Sequence, residues 1–434
     1  MCVRPGWIDR AAVAGIGAEL IDWRFKGVPA AAFGRRVSDV ASLGLDLFVD
    51  GFVGPIVVLD EDALEHNLRT MAGWCARVGV ALAPHGKTTM APQLFARQLD
   101  HGAWGITSAT VSQLRVYRAF GISPVLFANQ LVDPAALRWL AAELDGDPDF
   151  RFCCLVDTVE GVELMGATLE AVGARRPVDV LVELGALGGR TGARGLPAAL
   201  TAARAVASSR ALRLVGVGGY EGALAHDAST ASLAVVDAYL RELRELAVRT
   251  AEAGLFEVEQ ILVSAGGSAY FDQVAAVLTE PWPAGMSVLP ILRSGAYVAH
   301  DDGVYEDVSP LRRNGSAEPA TFQPALRAWA QVSSRPEQGL ALLTIGKRDV
   351  SFDEGLPRPL SIRGADGRQR PLAGGRVTAI NDQHTFLELT KPGEVRVGDW
   401  IALGISHPCT VFDKWPLLAV VRGDTVVDFV RTYF

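Results

Sequence analysis

The feature that most constrains the fold is a regular alternation, from about residue 55 to about residue 300, of short apolar runs and Ala/Leu/Arg-rich segments. The apolar runs predict strands buried on both faces. The segments between them, such as residues 61–79 and 233–254, repeat apolar residues every three or four positions, which indicates amphipathic helices. Asp60 stands where it could cap the first helix. Repetition on this scale favours a (β/α)8 barrel over a doubly wound sheet.

The number of strand-like runs bears on the architecture. Nine occur, one more than such a barrel needs, at PIVVLD, VALAP, WGITSA, PVLFAN, RFCCLVD, VDVLVELG, LRLVGVGGY, QILVSAG and VLPILRSGAYV. PIVVLD is the run that we expect to lie outside the barrel. After about residue 305 the chain changes to short β-rich runs, preceded by a linker punctuated by Pro, Gly and Ser at residues 310–326. A second, antiparallel β domain is therefore predicted.

Composition argues against several classes of protein. The 434 residues are 49% hydrophobic and 21% charged, so a large core can be buried. A net charge of -8 without a basic, aromatic-rich cluster argues against nucleic-acid binding. We expect no membrane segment, because no apolar run reaches the roughly 20 residues that span a bilayer, and no signal peptide. The five cysteines suit no disulfide framework and favour a cytoplasmic location, with Cys153 and Cys154 in the core.

Polar residues gather where the predicted barrel strands end, which is where such barrels carry catalytic groups. The seven ends hold His85, Gly86 and Lys87; Ser108 and Thr110; Asn129; the loop 188–192 with Arg190; Tyr220 and Glu221; Gly266, Gly267 and Ser268; and Arg293, Ser294, Gly295 and Tyr297. A single lysine in such a place is most often a solvated loop residue. Polar groups at seven ends together indicate a binding site.

The turn Gly266-Gly267-Ser268 is a candidate phosphate site, because it presents backbone N–H groups and a hydroxyl ahead of a helix. The alternative is a turn that only bends the chain. Arg190 could bind an anion or form a surface turn, and Tyr220 could hydrogen-bond a ring or fill the barrel mouth. A phosphate site together with Lys87 points to pyridoxal phosphate (PLP), which needs a lysine that forms a Schiff base.

The C-terminal domain carries GISHPCTVFDKW, in which His407 and Cys409 flank a proline. Imidazole and thiolate are both good zinc ligands, and a site with two protein ligands leaves positions for water or substrate. The alternative is a buried cysteine beside a surface histidine. His384, in NDQHTF, could be a third ligand, a catalytic acid or base, or an exposed turn residue.

APHGKTTMAP, LVELGALGGRTG, GVGGYEG, SAGGSA and SHPCTVFDKW together resemble the fold-type III PLP enzymes, specifically the group of D-serine dehydratases (D-serine deaminases) and D-threonine aldolases. The resemblance spans about Pro55 to Phe434. D-threonine aldolases usually carry aspartate where Cys409 stands, whereas His-x-Cys is the pattern of zinc-dependent D-serine and D-3-hydroxyaspartate dehydratases. HPCTVFDKW is similar to bacterial members described as amino-acid deaminases.

The resemblance implies an alanine-racemase-like (β/α)8 TIM barrel plus a C-terminal antiparallel β domain, usually in a homodimer. In that fold the strand before the first barrel helix belongs to the β domain, which accounts for PIVVLD. The implied domains are an N-terminal extension with helices at 1–52, this strand at 53–60, a PLP-binding barrel at 61–305 and a metal-binding β domain at 306–434. The extension departs from shorter members, and its role is unassigned.

The resemblance also implies a lyase reaction. Lys87 binds PLP covalently and then takes the α-proton of a D-β-hydroxy amino acid, with D-serine as the first choice. Zinc on His407 and Cys409 helps the β-hydroxyl leave, and the products are a 2-oxo acid and ammonia. Gly86 makes room for the cofactor. The expected catalytic residues are Lys87 and His384, and the expected cofactor-binding residues are His85, Lys87, Arg190, Tyr220, Gly266, Gly267, Ser268 and Tyr297.

Other functions of the same scaffold stay open. A D-threonine aldolase would release glycine and an aldehyde in place of ammonia and a 2-oxo acid. An amino-acid racemase would need a catalytic tyrosine, for which Tyr433 is the one candidate. A non-catalytic PLP-binding protein is typically a single barrel, so the β domain argues against it. The sequence does not choose among D-serine, D-threonine and D-3-hydroxyaspartate.

Overall fold

The computed structural model describes residues 6–315, 320–391 and 393–434, which fall into two compact units. The barrel unit comprises residues 6–9, Met71–Lys87 and Gln98–Gly295. The β unit comprises Arg10–Thr70, Thr88–Arg97 and the described part of Ala296–Phe434. Each unit draws on distant segments, so these limits differ from the boundaries expected at residues 52, 60 and 305. None of the helices in the described chain combines the length and the hydropathy that a membrane crossing needs.

The secondary structure alternates through the barrel unit and is mostly β in the last third of the chain. The α-helices are α1 (Arg10–Gly15), α2 (Val37–Ala41), α3 (Glu61–Val78), α4 (Pro92–Asp100), α5 (Val111–Ala119), α6 (Pro134–Gly146), α7 (Val159–Ala171), α8 (Leu196–Ala207), α9 (Thr230–Glu252), α10 (Phe271–Leu278), α11 (Val304–Val308), α12 (Pro310–Arg313) and α13 (Cys409–Phe412). The strands are β1 (Ile56–Asp60), β2 (Ala81–Leu82), β3 (Ile106–Ser108), β4 (Val125–Gln130), β5 (Phe152–Val156), β6 (Val178–Gly185), β7 (Ala193–Arg194), β8 (Leu212–Gly219), β9 (Gln260–Ala265), β10 (Ser287–Leu292), β11 (Leu326–Glu337), β12 (Leu340–Leu343), β13 (Arg358–Arg363), β14 (Gln369–Pro371), β15 (Gly375–Ile380), β16 (Thr385–Leu389), β17 (Trp400–Gly404), β18 (Leu417–Arg422) and β19 (Thr425–Arg431).

Parallel strands form the barrel in the order β2, β10, β9, β8, β6, β5, β4 and β3, with the short β7 against β6. The ring closes beyond β2, where His85 pairs with Thr107 and the Thr107 N–H donates to the Pro84 carbonyl at 2.9 Å. Cys153 and Cys154 of β5 are buried, as expected. The (β/α)8 barrel predicted from the alternating pattern is confirmed.

Short polar side chains cap the start of several helices, including α3 and α6. The Asp60 carboxylate accepts the Ala63 N–H at 2.8 Å, so Asp60 caps α3 as expected. Asp133 caps α6 in the same way, accepting the Ala135 N–H at 2.7 Å, and Pro134 takes the first helical position, where no N–H is needed. A cap such as Asp133 marks the end of the loop between a barrel strand and the next helix. The polar residues predicted for the site lie in loops of this kind.

The β unit contains the second sheet, with strand order β14, β13, β17, β11, β1, β18 and β19, and with β12, β16 and β15 joined to it through β11. The surplus strand β1 lies in this sheet. It pairs antiparallel with β11 and parallel with β18, while the other ladders of the sheet are antiparallel.

The N-terminal extension covers one face of the second sheet. Ile21, Val40 and Leu47 are buried in one cluster with Trp329 of β11 and Phe429 of β19. Complete burial of an isoleucine, valine or leucine side chain contributes about 1.5–3 kcal/mol. Residues 21–52 therefore supply part of the core of the β unit, which gives the extension a structural role.

Candidate functional site

Lys87 lies in the short 3₁₀ turn Gly86–Thr88 that follows β2, and its side chain is exposed. A Cβ on the buried Gly86 would overlap the Tyr117 hydroxyl and the side chain of Ile106. That hydroxyl donates to the Thr107 carbonyl at 3.2 Å. Tyr117 therefore leaves no space for a side chain at Gly86, and the expectation that this glycine makes room for a cofactor stays a prediction.

His85, two residues before Lys87, presents a neutral imidazole. Its backbone N–H donates to the Arg293 carbonyl at 3.1 Å, and its Nδ1 atom is buried without a hydrogen-bond partner in the described chain. Burial, followed by the positive charges of Lys87 and Arg293, holds the pKa of His85 well below its usual value. A neutral ring with an unsatisfied nitrogen can form a hydrogen bond with a ligand, which fits the expected place beside a cofactor.

Arg293, a residue without a predicted role, places a buried positive charge at the carboxyl end of the barrel. Its guanidinium donates from Nη1 to Ser264 Oγ at 2.8 Å and from Nη2 to the Gly219 carbonyl. These partners belong to β9 and β8, so Arg293 links the ends of three neighbouring strands. Its signal in the sequence is a charged residue placed directly after the apolar stretch LPIL.

The turn Gly266-Gly267-Ser268 binds a carboxylate of the protein itself. The fully buried Glu221 accepts the Gly266 N–H at 3.0 Å and the Gly267 N–H at 2.7 Å. Gly266 has a φ of 107°, a conformation that favours glycine. The turn therefore has the geometry of an anion site, as expected, but these two donors are used within the protein. Ser268 is not part of this pairing.

Arg190 and Tyr220 lie together at the barrel mouth. The guanidinium carbon of Arg190 is 4.6 Å from the centroid of the Tyr220 ring, a cation–π distance. The Tyr220 N–H donates to the Tyr239 hydroxyl at 3.0 Å. A Cβ on Gly267 would lie 3.1 Å from the Tyr220 ring, so this ring covers the glycine turn. The fold thus brings together three of the residues predicted for the cofactor site.

The barrel residues fit PLP. Three buried side-chain atoms at the ends of neighbouring strands have no hydrogen-bond partner in the described chain: His85 Nδ1, Ser108 Oγ and Gln130 Oε1. Unsatisfied buried polar atoms are uncommon in folded proteins and call for a ligand or water. With the exposed amine of Lys87 and the buried charge of Arg293, these atoms supply an attachment point and polar contacts for an aromatic, anionic cofactor.

His407 and Cys409 lie in the β unit, just beyond β17. His407 has a φ of 64°, and its backbone N–H donates to Asp301 at 2.8 Å. Its Nδ1 atom is 2.6 Å from an oxygen of Asp353, and Cys409 is close enough to the ring to raise its pKa. The Cys409 sulfur lies 3.3 Å from the Thr88 hydroxyl. The structure therefore brings the two predicted ligand residues close together.

The groups around His407 favour a bound cation. Burial alone would lower the pKa of His407, but the hydrogen bond and charge of Cys409, with the carboxylate of Asp353, raise it to about 9. Imidazole and thiolate form a donor set that suits Zn²⁺. Within residues 6–315, 320–391 and 393–434, no group of three or more His, Cys, Asp and Glu side chains is arranged to hold a metal ion. The pair thus fits a metal with two protein ligands and open positions.

Two predicted site residues are not joined to these clusters. His384 is exposed on the turn between β15 and β16, and no metal-type cluster of the described chain includes it. The expected third ligand or acid/base at this position therefore finds no support. Tyr297 lies in a 3₁₀ turn, Ala296–Val298, where its buried ring is 6.0 Å from that of Phe322. Its surroundings are those of a core residue.

Comparison with known proteins gives a consistent relationship. The alanine racemase N-terminal domain family matches residues 59–279, and a serine dehydratase domain family matches residues 325–421. The D-threonine aldolase of Arthrobacter sp. is 30% identical over 380 residues, which cover 86% of this chain and 90% of the relative. The D-threo-3-hydroxyaspartate dehydratase of Delftia sp. (strain HT23) is 26% identical over 387 residues, covering 85% and 94%. The crystal structure of D-threonine aldolase from Filomicrobium marinum superposes with a TM-score of 0.73 at 26% identity, covering 88% of this chain and 95% of that one.

Proposed function

The chain belongs to the fold-type III family of PLP enzymes, and on that premise we propose that it removes water from a D-β-hydroxy amino acid with the help of PLP and a divalent metal ion. Loss of water leaves an enamine, which tautomerises to an imine, and hydrolysis of that imine gives a 2-oxo acid and ammonia. D-serine is the proposed substrate. We further propose zinc as the metal, a homodimer as the assembly and the cytoplasm as the location.

The substrate class is supported by the names of the relatives. D-threonine and D-threo-3-hydroxyaspartate are both D-amino acids with a hydroxyl on the β-carbon. The predicted machinery requires both features, because the amino group must reach PLP and the hydroxyl must reach a metal. D-serine is the smallest amino acid of this class.

The observation that carries elimination is that a thiol, Cys409, stands two residues from His407 and is close enough to raise the pKa of its ring. A thiolate is a soft ligand that suits Zn²⁺, whereas a carboxylate suits Mg²⁺ or Mn²⁺. Elimination needs the hydroxyl to leave with its electron pair, and Zn²⁺ held by this pair would supply the Lewis acidity for that. Retro-aldol cleavage needs instead that the hydroxyl lose its proton.

Residues of the barrel would carry the remaining chemistry. PLP, when bound, would withdraw electrons from the α-carbon and so acidify the α-proton. Lys87 would hold the cofactor through Nζ and take the α-proton at the same atom. His85 would contribute a neutral ring, and Arg190 with Tyr220 would cover one side of the site. Because Glu221 occupies two of the expected phosphate donors, Ser268 is the member of that turn we propose for the phosphate.

The reaction is tested with the full chain purified with PLP and Zn²⁺. We expect pyruvate and ammonia in equal amounts from D-serine and none from L-serine. Dialysis against a chelator should remove the activity, and Zn²⁺ should restore it. Full activity in protein shown by elemental analysis to be metal-free would remove His407 and Cys409 from the mechanism.

The role of Lys87 is tested without an assay of activity. Lys87→Ala should abolish the visible absorbance band of PLP bound to lysine, because no other attachment is proposed. Lys347→Ala is the matched control, since this lysine lies in the β unit, and it should keep the band. Persistence of the band in Lys87→Ala would refute the assignment. Light scattering of the same samples measures the molar mass and so tests the proposed homodimer.

Retro-aldol cleavage is the second candidate, favoured by the 30% identity to a D-threonine aldolase. D-threonine distinguishes the two reactions, because elimination gives 2-oxobutanoate and ammonia whereas cleavage gives glycine and acetaldehyde. Glycine as the main product would decide for the aldolase.

A further inference from the structure

We propose that Asp353 positions His407 for metal binding, by holding Nδ1 of the ring so that Nε2 is presented to the ion. This inference rests on the proposed function, because that function places a metal on His407 and Cys409. It concerns a residue that the sequence did not mark, since Asp353 is 54 residues away from His407 in the chain.

The carboxylate of Asp353 is held at both oxygens. One lies 2.6 Å from His407 Nδ1, and the other accepts the Thr410 hydroxyl at 2.8 Å. Thr410 follows Cys409 directly, so Asp353 bridges the residues on both sides of the thiol. With both oxygens engaged, Asp353 is arranged to orient the ring and not to bind the ion itself.

The two segments that carry these residues are also joined by serine hydroxyls that donate to backbone carbonyls. The Ser351 hydroxyl donates to the Ser406 carbonyl, and the Ser406 hydroxyl donates to the Glu354 carbonyl at 2.6 Å. These bonds flank Asp353 on one segment and precede His407 on the other. The carboxylate is therefore held in register with the ring before any ion binds.

The backbone of His407 also points to a built site. A φ of 64° is unfavourable for a residue with a side chain and persists only where the surroundings impose it. Here the Asp301 carboxylate accepts the His407 N–H at 2.8 Å, and Asp353 takes the ring. Two carboxylates thus hold one histidine, at its backbone and at its side chain.

The chemistry of this contact is specific. When Nδ1–H donates to a carboxylate, the neutral ring is held in the tautomer whose lone pair lies on Nε2, the form that a metal binds. The carboxylate also makes the ring a stronger donor to the metal. Loss of such a partner typically weakens metal binding by about 10–100-fold.

The test measures metal affinity and not activity. Zn²⁺ affinity is measured by chelator competition, with the full chain loaded with PLP, for the wild type, Asp353→Asn, Asp353→Glu and Thr410→Val. Asp307→Asn is the matched control, because Asp307 forms an exposed ion pair with Arg358 in the same unit. Co²⁺ then replaces Zn²⁺, and the thiolate-to-cobalt absorbance band reports whether Cys409 is still a ligand.

We expect Asp353→Asn to weaken Zn²⁺ binding by about 10–100-fold while keeping the cobalt–thiolate band at saturating Co²⁺. Asp353→Glu should recover part of the affinity, Thr410→Val should lose a smaller factor, and Asp307→Asn should match the wild type. The PLP band should persist in all variants, which also shows that they fold. Thr410→Val serves as the test if Asp353→Asn does not fold.

Two results would overturn the inference alone: a Zn²⁺ affinity of Asp353→Asn within about twofold of the wild type, or loss of the cobalt–thiolate band at saturating Co²⁺, which would show that Asp353 is required for Cys409 to bind the metal and does not act through His407 alone. A wild-type protein that binds no Zn²⁺ would overturn the metal part of the proposed function and this inference with it.

Discussion

Replacing Lys26 by methionine should destabilise the β unit, because this lysine ties the N-terminal extension to the segments around the His407 site. Its ammonium donates to an oxygen of Asp349 at 2.9 Å and to the Arg348 carbonyl at 3.1 Å. It also lies 4.1 Å from the centroid of the Trp415 ring, whose indole N–H donates to the Asp349 carbonyl at 2.7 Å. Methionine keeps the apolar stem and removes the ammonium, with its charge and its hydrogen-bond donors.

The magnitude follows from burial. The Asp349 side chain is 6% exposed and that of Lys26 is 36% exposed, so the variant leaves a buried carboxylate with one backbone N–H, that of Gly346. Loss of a hydrogen bond to a charged group costs about 1.5–3 kcal/mol, and the cation–π contact adds about 0.5–1 kcal/mol. Partial exposure of Lys26 reduces the sum, and we expect a loss of about 2–3 kcal/mol in the free energy of unfolding. For a unit of this size that lowers Tm by about 4–12 °C.

The assay is thermal unfolding of the full chain, compared with Arg24→Met as the control. Arg24 lies in the same segment and forms an ion pair with Asp22, but its side chain is 62% exposed, so no measurable change is expected. Asp349→Asn, alone and combined with Lys26→Met, gives the coupling energy of the pair. A Tm for Lys26→Met equal to that of Arg24→Met would refute the claim that the extension is held by this contact.

Two further variants test other parts of the structure. Gly295→Ala places a methyl group against the backbone oxygen and Cβ of His85, so we expect a lower Tm and a weaker PLP absorbance band. Gly73→Ala is the control, because an added Cβ there has no neighbour within 4 Å, and its Tm should equal or exceed that of the wild type. Burial lowers the pKa of His300 to about 4. Between about pH 6.5 and pH 4, His300 therefore binds a proton in the unfolded chain but not in the folded chain. The contribution of His300 to the free energy of unfolding is therefore complete above pH 6.5 and falls by roughly 3 kcal/mol as the pH drops to 4. Urea unfolding of His300→Gln should therefore show a smaller decrease in the free energy of unfolding over that range than the wild type. An equal decrease in both proteins would contradict this origin.

The strands and helices were predictable because their signals are local. VDVLVELG forms β6, and an Asp at the end of β1 caps the next helix, as its spacing indicates. The ligand-type pair was equally visible, since His407 and Cys409 are two residues apart in the chain. Runs of eight residues or fewer carry this information in their order alone.

Contacts between distant residues were not predictable from one sequence. Gly86 is required by Tyr117, 31 residues later in the chain, because a side chain at Gly86 would overlap the Tyr117 hydroxyl. The glycine turn was expected to bind phosphate, but Glu221, 45 residues before Gly266, accepts two of its donors. Neither partner carries a local signal, because the contact arises only when neighbouring barrel strands align.

The sequence by itself determined which segments become strands and helices, that the barrel strands are parallel and buried, and where the reactive side chains stand along the chain. Hydrophobic period and side-chain chemistry are properties of local order. The tertiary structure decided which of those side chains share a site: Asp353 with His407, Glu221 with the glycine turn, and residues 21–52 with the second sheet. Those pairings depend on how strands and loops that are far apart in the chain are aligned, and that alignment is set only when the segments pack against one another.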